Sequence, residues 1–268
     1  MISVTDQMGR EVTVPQRPTR IISLVPSQTE LLFDLGLDDK IVGVTKFCVH
    51  PAEQVADKQS VGGTKKFRFD VIDRLQPDLI IGNKEENYRE GILQLAKTYP
   101  VWLSDIFTLA DACAMIRQVG TLVGKAEKAN LMAERIQAAF VALKPVPRPL
   151  RVGYFIWQKP VMAVGRHTFI HEMLSQCGFA NAFADMDNGR YPELTFDDIH
   201  TAQLDAILLS SEPFPFREKH KQVFADAFPE TAVYLVDGEM FSWYGSRLET
   251  AVNSFQQLIN SLAGEETR

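Results

Sequence analysis

A chain of 268 residues has the length for two domains of about 100–150 residues each, and its 46% hydrophobic and 23% charged content is that of a globular protein. The net charge of −6 comes with no basic stripe to neutralise phosphates, which argues against nucleic acid as a partner. No apolar run approaches the roughly 20 residues that span a bilayer, so the chain is not expected to be transmembrane itself.

The N-terminal "MISVTDQMGREVTVPQ" shows no cationic n-region and no apolar h-region. Two compartments stay open on that reading: a cytoplasmic chain, or an exported one whose signal has been removed. The cysteines Cys48, Cys113 and Cys177 are odd in number and widely spaced. They form neither a disulfide framework nor a CxxC metal site. Cys113 and Cys177 fall in helical patterns and read as buried small hydrophobes.

In chain order, "RIISLV" (20–25) reads as a buried strand, and Pro26 and Ser27 then open a helix that Gly36 ends. "KIVGVT" (40–45), "PDLIIGN" (77–83) and "PVWLS" (100–104) are further strands, with "FDVIDRLQ" and "YREGILQLAKTY" as helices among them. Strand alternating with helix implies parallel pairing through crossover helices. From Leu109 to Lys144 the pattern is helical and rich in alanine; Gly124 breaks it, and "PVPRP" (145–149) stops it. The alternation then restarts with strands "RVGYFIW" (151–157), "AILLS" (206–210) and "AVYLVD" (232–237), and helices near 168–177, 195–202, 217–228 and 246–262. The fold class expected is α/β: two Rossmann-like lobes with parallel sheets, joined by a single long backbone helix. The boundaries expected are 1–124 for the first lobe, 125–147 for the helix and 148–268 for the second lobe.

Several stretches carry chemistry. "MFSWYGSR" follows the last strand at its carboxyl end, where ligands of open α/β sheets bind. Its Trp243 and Tyr244 offer ring faces, and Arg247 offers a fork for carboxylate or phosphate. The plainer reading is that Phe241 and Trp243 pack between the lobes. "WQKPVMAVGRHTFIHEML" places Trp157 at a strand end, Arg166 before a helix, and His167 and His171 four residues apart. With His50 these could make a three-nitrogen Zn or Mn site; the alternative is a solvated or capping role. Glu212, in "SSEPFPFREKH", could accept from ligand hydroxyls or amides, or belong to a stiff loop whose Phe214 and Phe216 cap the core. "VGGTKKF" lacks P-loop spacing, and its glycines suit either close ligand approach or a tight turn. In "NKEEN", Asn83 could face a ligand. The chain holds no GxSxG and no credible Ser/His/Asp order, so no enzyme is expected.

"DQMGREVTVPQRPTRIISLVPSQTELLFDLGL", followed by "IVGVT", "VGGTK" and "LQPDLII", resembles the N-terminal lobe of class III periplasmic binding proteins. These helical-backbone receptors deliver vitamin B12, ferric siderophores, haem or metal ions to ABC importers. The resemblance covers nearly the whole chain and looks closest to the cobalamin-receptor branch. It implies an aromatic ligand contact at Phe47, another at Tyr191 in "RYPEL", and an arginine at Arg247. Thr64 and Lys65 stand where that branch has a tryptophan. Lys65, Lys66, Arg68, Arg166 and Arg247 would make the cleft positive, which suits an anionic chelate. The resemblance further implies permease docking through Asp70 and Asp197, one acid per lobe.

The function expected is therefore a substrate-binding protein that holds a corrinoid or ferric chelate in the inter-lobe cleft and presents it to an ABC importer permease. The chelate is a transported ligand rather than a covalently bound cofactor, and a monomer is expected. Family resemblance implies a periplasmic location or one at the outer face of the membrane. The alternatives are a cytoplasmic corrinoid- or metal-handling protein or enzyme on the same scaffold, and direct metal-ion binding.

Overall fold

The structure, a computed structural model, describes residues 1–186 and 189–265. The chain divides into two compact units. The first comprises Met1–Ile106, Ala110–Gln137 and Trp243–Glu249; the second comprises Phe107–Leu109, Ala138–Ser242 and the residues from Thr250.

The first unit opens with β1 (Ile2–Thr5) and β2 (Glu11–Val14), followed by β3 (Ile21–Ser23), α1 (Pro26–Asp34), β4 (Ile41–Val44), α2 (Ala52–Ala56) and β5 (Gln59–Ser60). A small hairpin, β6 (Gly62–Gly63) and β7 (Lys66–Phe67), leads to α3 (Phe69–Leu75), β8 (Leu79–Asn83), α4 (Arg89–Leu95) and β9 (Val101–Ser104). β3, β8 and β9 are buried at every residue, as expected of strands covered on both faces. The five-stranded sheet has the order β5-β4-β3-β8-β9 and is parallel throughout. The crossovers pack Ile22, Leu24, Val61, Val71, Ile72, Ile80, Ile92 and Leu103 into one core.

The β1–β2 hairpin covers the free edge at β9. Its turn is organised by Asp6, whose carboxylate accepts from the Met8 and Arg10 amides at 2.9 Å, from the Arg10 guanidinium at 2.6 Å and from the Leu103 amide at 3.3 Å. Arg10 also donates to the Val101 carbonyl at 3.0 Å, and the Gln7 amide to the Leu103 carbonyl at 3.1 Å. Groups of the sheet edge that would otherwise face solvent are thus satisfied.

Two helices follow, α5 (Leu109–Leu122) and α6 (Ala126–Ala142). Gly124 separates them with φ of 70°, a left-handed conformation open to glycine. Residues of α6 through Gln137 lie in the first unit and those from Ala138 in the second.

The second unit continues with β10 (Leu150–Trp157), β11 (Val161–Ala163), α7 (Phe169–Gln176), β12 (Phe179–Asn181), β13 (Glu193–Leu194) and α8 (Phe196–Thr201). It then adds β14 (Ala206–Ser210), α9 (Glu218–Ala227), β15 (Ala232–Val236), a short α10 (Gly238–Ser242) and α11 (Leu248–Glu265). The sheet order is β13-β11-β10-β14-β15, with β12 also on β10. β10 pairs in parallel with β12 and β14, and β14 with β15. β11 pairs antiparallel with both β10 and β13, so this sheet is mixed where a purely parallel one was expected. The reason is length: the turn from Trp157 to Val161 is far too short for the crossover that a parallel partner requires. The core is aromatic, with Phe224 packed against Phe155, Phe216 and Phe228 at ring separations of 5.3–6.3 Å. Thr195 caps α8 in a reciprocal box with Asp198.

Among the described residues, no helix is long and apolar enough to cross a membrane.

Candidate functional site

In the first unit the carboxyl ends of the parallel strands open into three loops: Leu24–Val25 ahead of α1, Thr45–Pro51 after β4, and Lys84–Tyr88 after β8. The segment Trp243–Glu249 belongs to this unit although it follows the last strand of the other. It is held tightly. Gly245 approaches the chain so closely that a Cβ there would lie 2.8 Å from the Ser27 carbonyl, so only glycine fits. Arg247 grips Glu30 of α1 through two bonds, Nε to Oε2 at 2.9 Å and an amino group to Oε1 at 2.6 Å. The two side chains are only 11% and 17% exposed, which makes this a largely desolvated pair. The same guanidinium lies 4.6 Å from the Trp243 ring centre, and His50 meets that ring edge-on at 5.5 Å.

Tyr244 is buried, and its hydroxyl donates to Glu86 at 3.2 Å. Burial and the neighbouring Glu86 charge hold its phenol well above the usual value. Burial also pushes the Glu30 carboxyl up, against the opposing bonds and charge of Arg247. Phe47 differs. It is 50% exposed, with the Lys46 ammonium 4.9 Å from its ring. Lys65, in the β6–β7 turn, donates to the Glu85 carbonyl at 2.5 Å. Asn83, considered from the sequence as a ligand contact, is buried; it accepts from the Glu85 and Glu86 amides and donates to Ser104. Cys48 is also buried, its sulfur 3.0 Å from the Thr29 hydroxyl.

In the second unit Trp157 ends β10 with 39% exposure, Nε1 donating to the Lys159 carbonyl at 3.0 Å. Phe214 supports its ring edge-on at 5.6 Å and packs in turn on Phe216 and His220. Phe216 is core and Phe214 packs against it, as the plainer reading of that loop has it. Glu212 accepts from the Ser242 hydroxyl at 2.5 Å, tying the β14 loop to α10. Phe241 packs within its own unit, against Tyr154 and Phe255. Arg166 is bound to Asp185 at 2.5 and 2.7 Å. Tyr191 is partly buried beside Arg190, which also stacks on Phe107.

The histidines do not share one helix face. His167 precedes α7 in a left-handed conformation with φ of 62°, and Thr168 is the cap, accepting from the His171 amide at 3.1 Å. His171 lies within 3.3 Å of the Asn181 amide, and burial followed by the Arg166 charge lowers its pKa. His50 lies in the first unit. Among the described residues no group of three or more His, Cys, Asp or Glu is placed to hold a metal ion. Asp70 and Asp197 are both exposed, in the first turns of α3 and α8; Asp70 pairs with Arg74 at 3.1 Å.

The sequence reading missed Glu30, Glu86, Asp185 and Ser242. Glu30 and Arg247 are 217 positions apart, and no local pattern links them.

Each unit presents an exposed ring at the carboxyl end of a strand, which is where open α/β sheets take ligands. Comparison with known proteins agrees. The chain belongs to the periplasmic binding protein family, which matches residues 21–234. Similar curated proteins include a Bacillus subtilis ABC transporter substrate-binding lipoprotein, 25% identical over 96% of this chain and 85% of that protein. Another is a vitamin B12-binding protein of Pectobacterium atrosepticum, 27% identical over 92% of this chain and 89% of that one. The same fold is seen in a periplasmic haem-binding protein from a Roseiflexus species, with a TM-score of 0.80 at 21% identity, covering 91% of this chain and 98% of that one.

Proposed function

We propose that this chain is the substrate-binding protein of an ABC importer, working outside the cytoplasm, and that its cargo is a flat or compact metal chelate, either a corrinoid or a ferric chelate such as haem or a siderophore complex. One observation carries the reading: each unit presents one large, half-exposed ring at a strand's carboxyl end, Phe47 in the first and Trp157 in the second. Both rings are braced, Phe47 against the β6–β7 hairpin and Trp157 by Phe214. A preorganised ring loses little entropy on contact, so aromatic area is well suited to a flat ligand. Family membership supports the transport role, and relatives that bind vitamin B12 and haem support the chelate class.

The contacts proposed are Phe47, Lys65, Trp243, Tyr244 and Arg247 from the first unit, and Trp157, Arg166, Tyr191 and Glu212 from the second. For Trp243, Tyr244 and Arg247 the contact would be through atoms left at the surface, because all three are mostly buried. Asp70 and Asp197 are proposed to meet the permease, since each is an exposed carboxylate on the first turn of a helix. The reaction is recognition; no bond is made or broken.

The test is a titration of purified protein with cyanocobalamin, haemin and a ferric trihydroxamate, followed by tryptophan fluorescence. Saturable quenching by one of them is expected, with Trp157→Ala weakening it at least about tenfold, the loss of a buried aromatic anchor being worth 2 kcal/mol or so. A melting curve taken alongside confirms that Trp157→Ala is folded, since the ring also packs on Phe214. No quenching by any chelate in folded protein would refute the reading.

A further inference from the structure

We infer that Glu30 and Asp185 set the charge of the ligand: they neutralise the two arginines expected to meet it, so that the protein selects metal chelates with little or no net negative charge. This rests on the importer reading above and narrows its substrate class.

The sequence nominates Arg247, Arg166 and Lys65 for anionic ligand groups, and the structure gives each a partner. Arg247 holds both oxygens of Glu30. Arg166 donates from two nitrogens to one oxygen of Asp185. The Lys65 ammonium is bound to the Glu85 carbonyl, and the neighbouring Glu86 carboxylate receives Tyr244. A guanidinium paired with a carboxylate keeps donors on its other edge, but its charge is already neutralised, so a second anion gains much less from it. A carboxylate- or catecholate-bearing ligand that reached Arg247 would come up against Glu30 as well. That acid, 17% exposed, would repel the incoming anion with little water to screen it. A neutral chelate meets no such repulsion; it needs ring area and amide or hydroxyl bonding. Lys46, Lys65, Lys66 and Arg68 keep their charge, Lys65 against a neutral carbonyl, but all four are exposed in water, where charge is screened.

The experiment is a set of titrations at fixed ionic strength by tryptophan fluorescence. The probes are cyanocobalamin and a ferric trihydroxamate as neutral chelates, haemin with its two carboxylates, and a ferric tricatecholate with three negative charges. The wild type should bind at least one neutral chelate about tenfold or more tighter than either anionic one, since the paired arginines offer no net charge and their acids repel the latter. Asp185→Asn should tighten tricatecholate binding about two- to fivefold, the range of an exposed ion pair, and leave neutral binding unchanged. Glu30→Gln should shift the same ratio in the same direction, with a melting curve taken alongside to confirm folding. Equal or tighter binding of an anionic chelate by the wild type overturns the inference while keeping the importer reading. A neutral preference that neither variant shifts also overturns it. Binding of no chelate at all overturns the importer reading, and this inference with it.

Discussion

Arg247→Met removes the cation from a pair that is nearly out of water, and the structure fixes what should follow. Glu30 would stay on α1 with 17% exposure and lose two hydrogen bonds, of 2.6 and 2.9 Å. Removing one partner of a buried pair costs 3–5 kcal/mol; because both side chains keep some water contact, the low end, about 3 kcal/mol, applies here. In a chain of this size that is a fall of roughly 6–12 °C in melting temperature.

The loss should depend on pH, with a definite sign. Burial raises the Glu30 carboxyl above 4.5 while Arg247 pulls it down, so the variant's folded value is higher still. A group with a raised folded pKa stabilises fully below its unfolded value, and that contribution disappears as pH rises through the folded value. Arg247→Met should therefore be less destabilised at pH 5 than at pH 8. Glu30→Gln combined with Arg247→Met should recover most of the loss, because two neutral groups of similar shape leave no charge stranded. Urea unfolding of the wild type, both single variants and the double variant at pH 5 and pH 8 provides the cycle. A loss below about 1 kcal/mol, equal at both pH values, would mean the pair behaves as a surface one and would refute the reasoning.

Two further outcomes can be checked. Asp6→Ala strips the acceptor from the Met8, Arg10 and Leu103 amides and from the Arg10 guanidinium; the expected cost is about 2–4 kcal/mol in urea unfolding, with ligand affinity unchanged in folded protein. Cys48, Cys113 and Cys177 are buried with thiol pKa values raised by desolvation, that of Cys177 to about 12, so a thiol reagent at pH 8 should react in seconds only after denaturation. Rapid labelling of one thiol in native protein would contradict the burial.

The parallel strands and most helices were legible because their signals are local. Buried runs such as "DLIIG" and "AILLS", a proline opening α1 and a glycine at 124 each act within a few residues. Short strands were not legible: β12, β13 and the β6–β7 hairpin are two or three residues long, and pairing rather than periodicity defines them. The role of Asp6 was hidden for a similar reason, since its partner at Leu103 comes from a distant strand.

The stretch "MFSWYGSR" marks the division most clearly. The sequence by itself determined that a run of rings, a glycine and an arginine follows the last strand, and that the alternation of strand and helix builds two α/β units. Only the tertiary structure decided that the run is split, Phe241 packing on Tyr154 and Phe255 while Trp243, Tyr244 and Arg247 join the other unit. It also decided that Arg247 meets Glu30 across 217 positions. Local patterns fix which face of an element is apolar. Which acid neutralises a given arginine is fixed by packing.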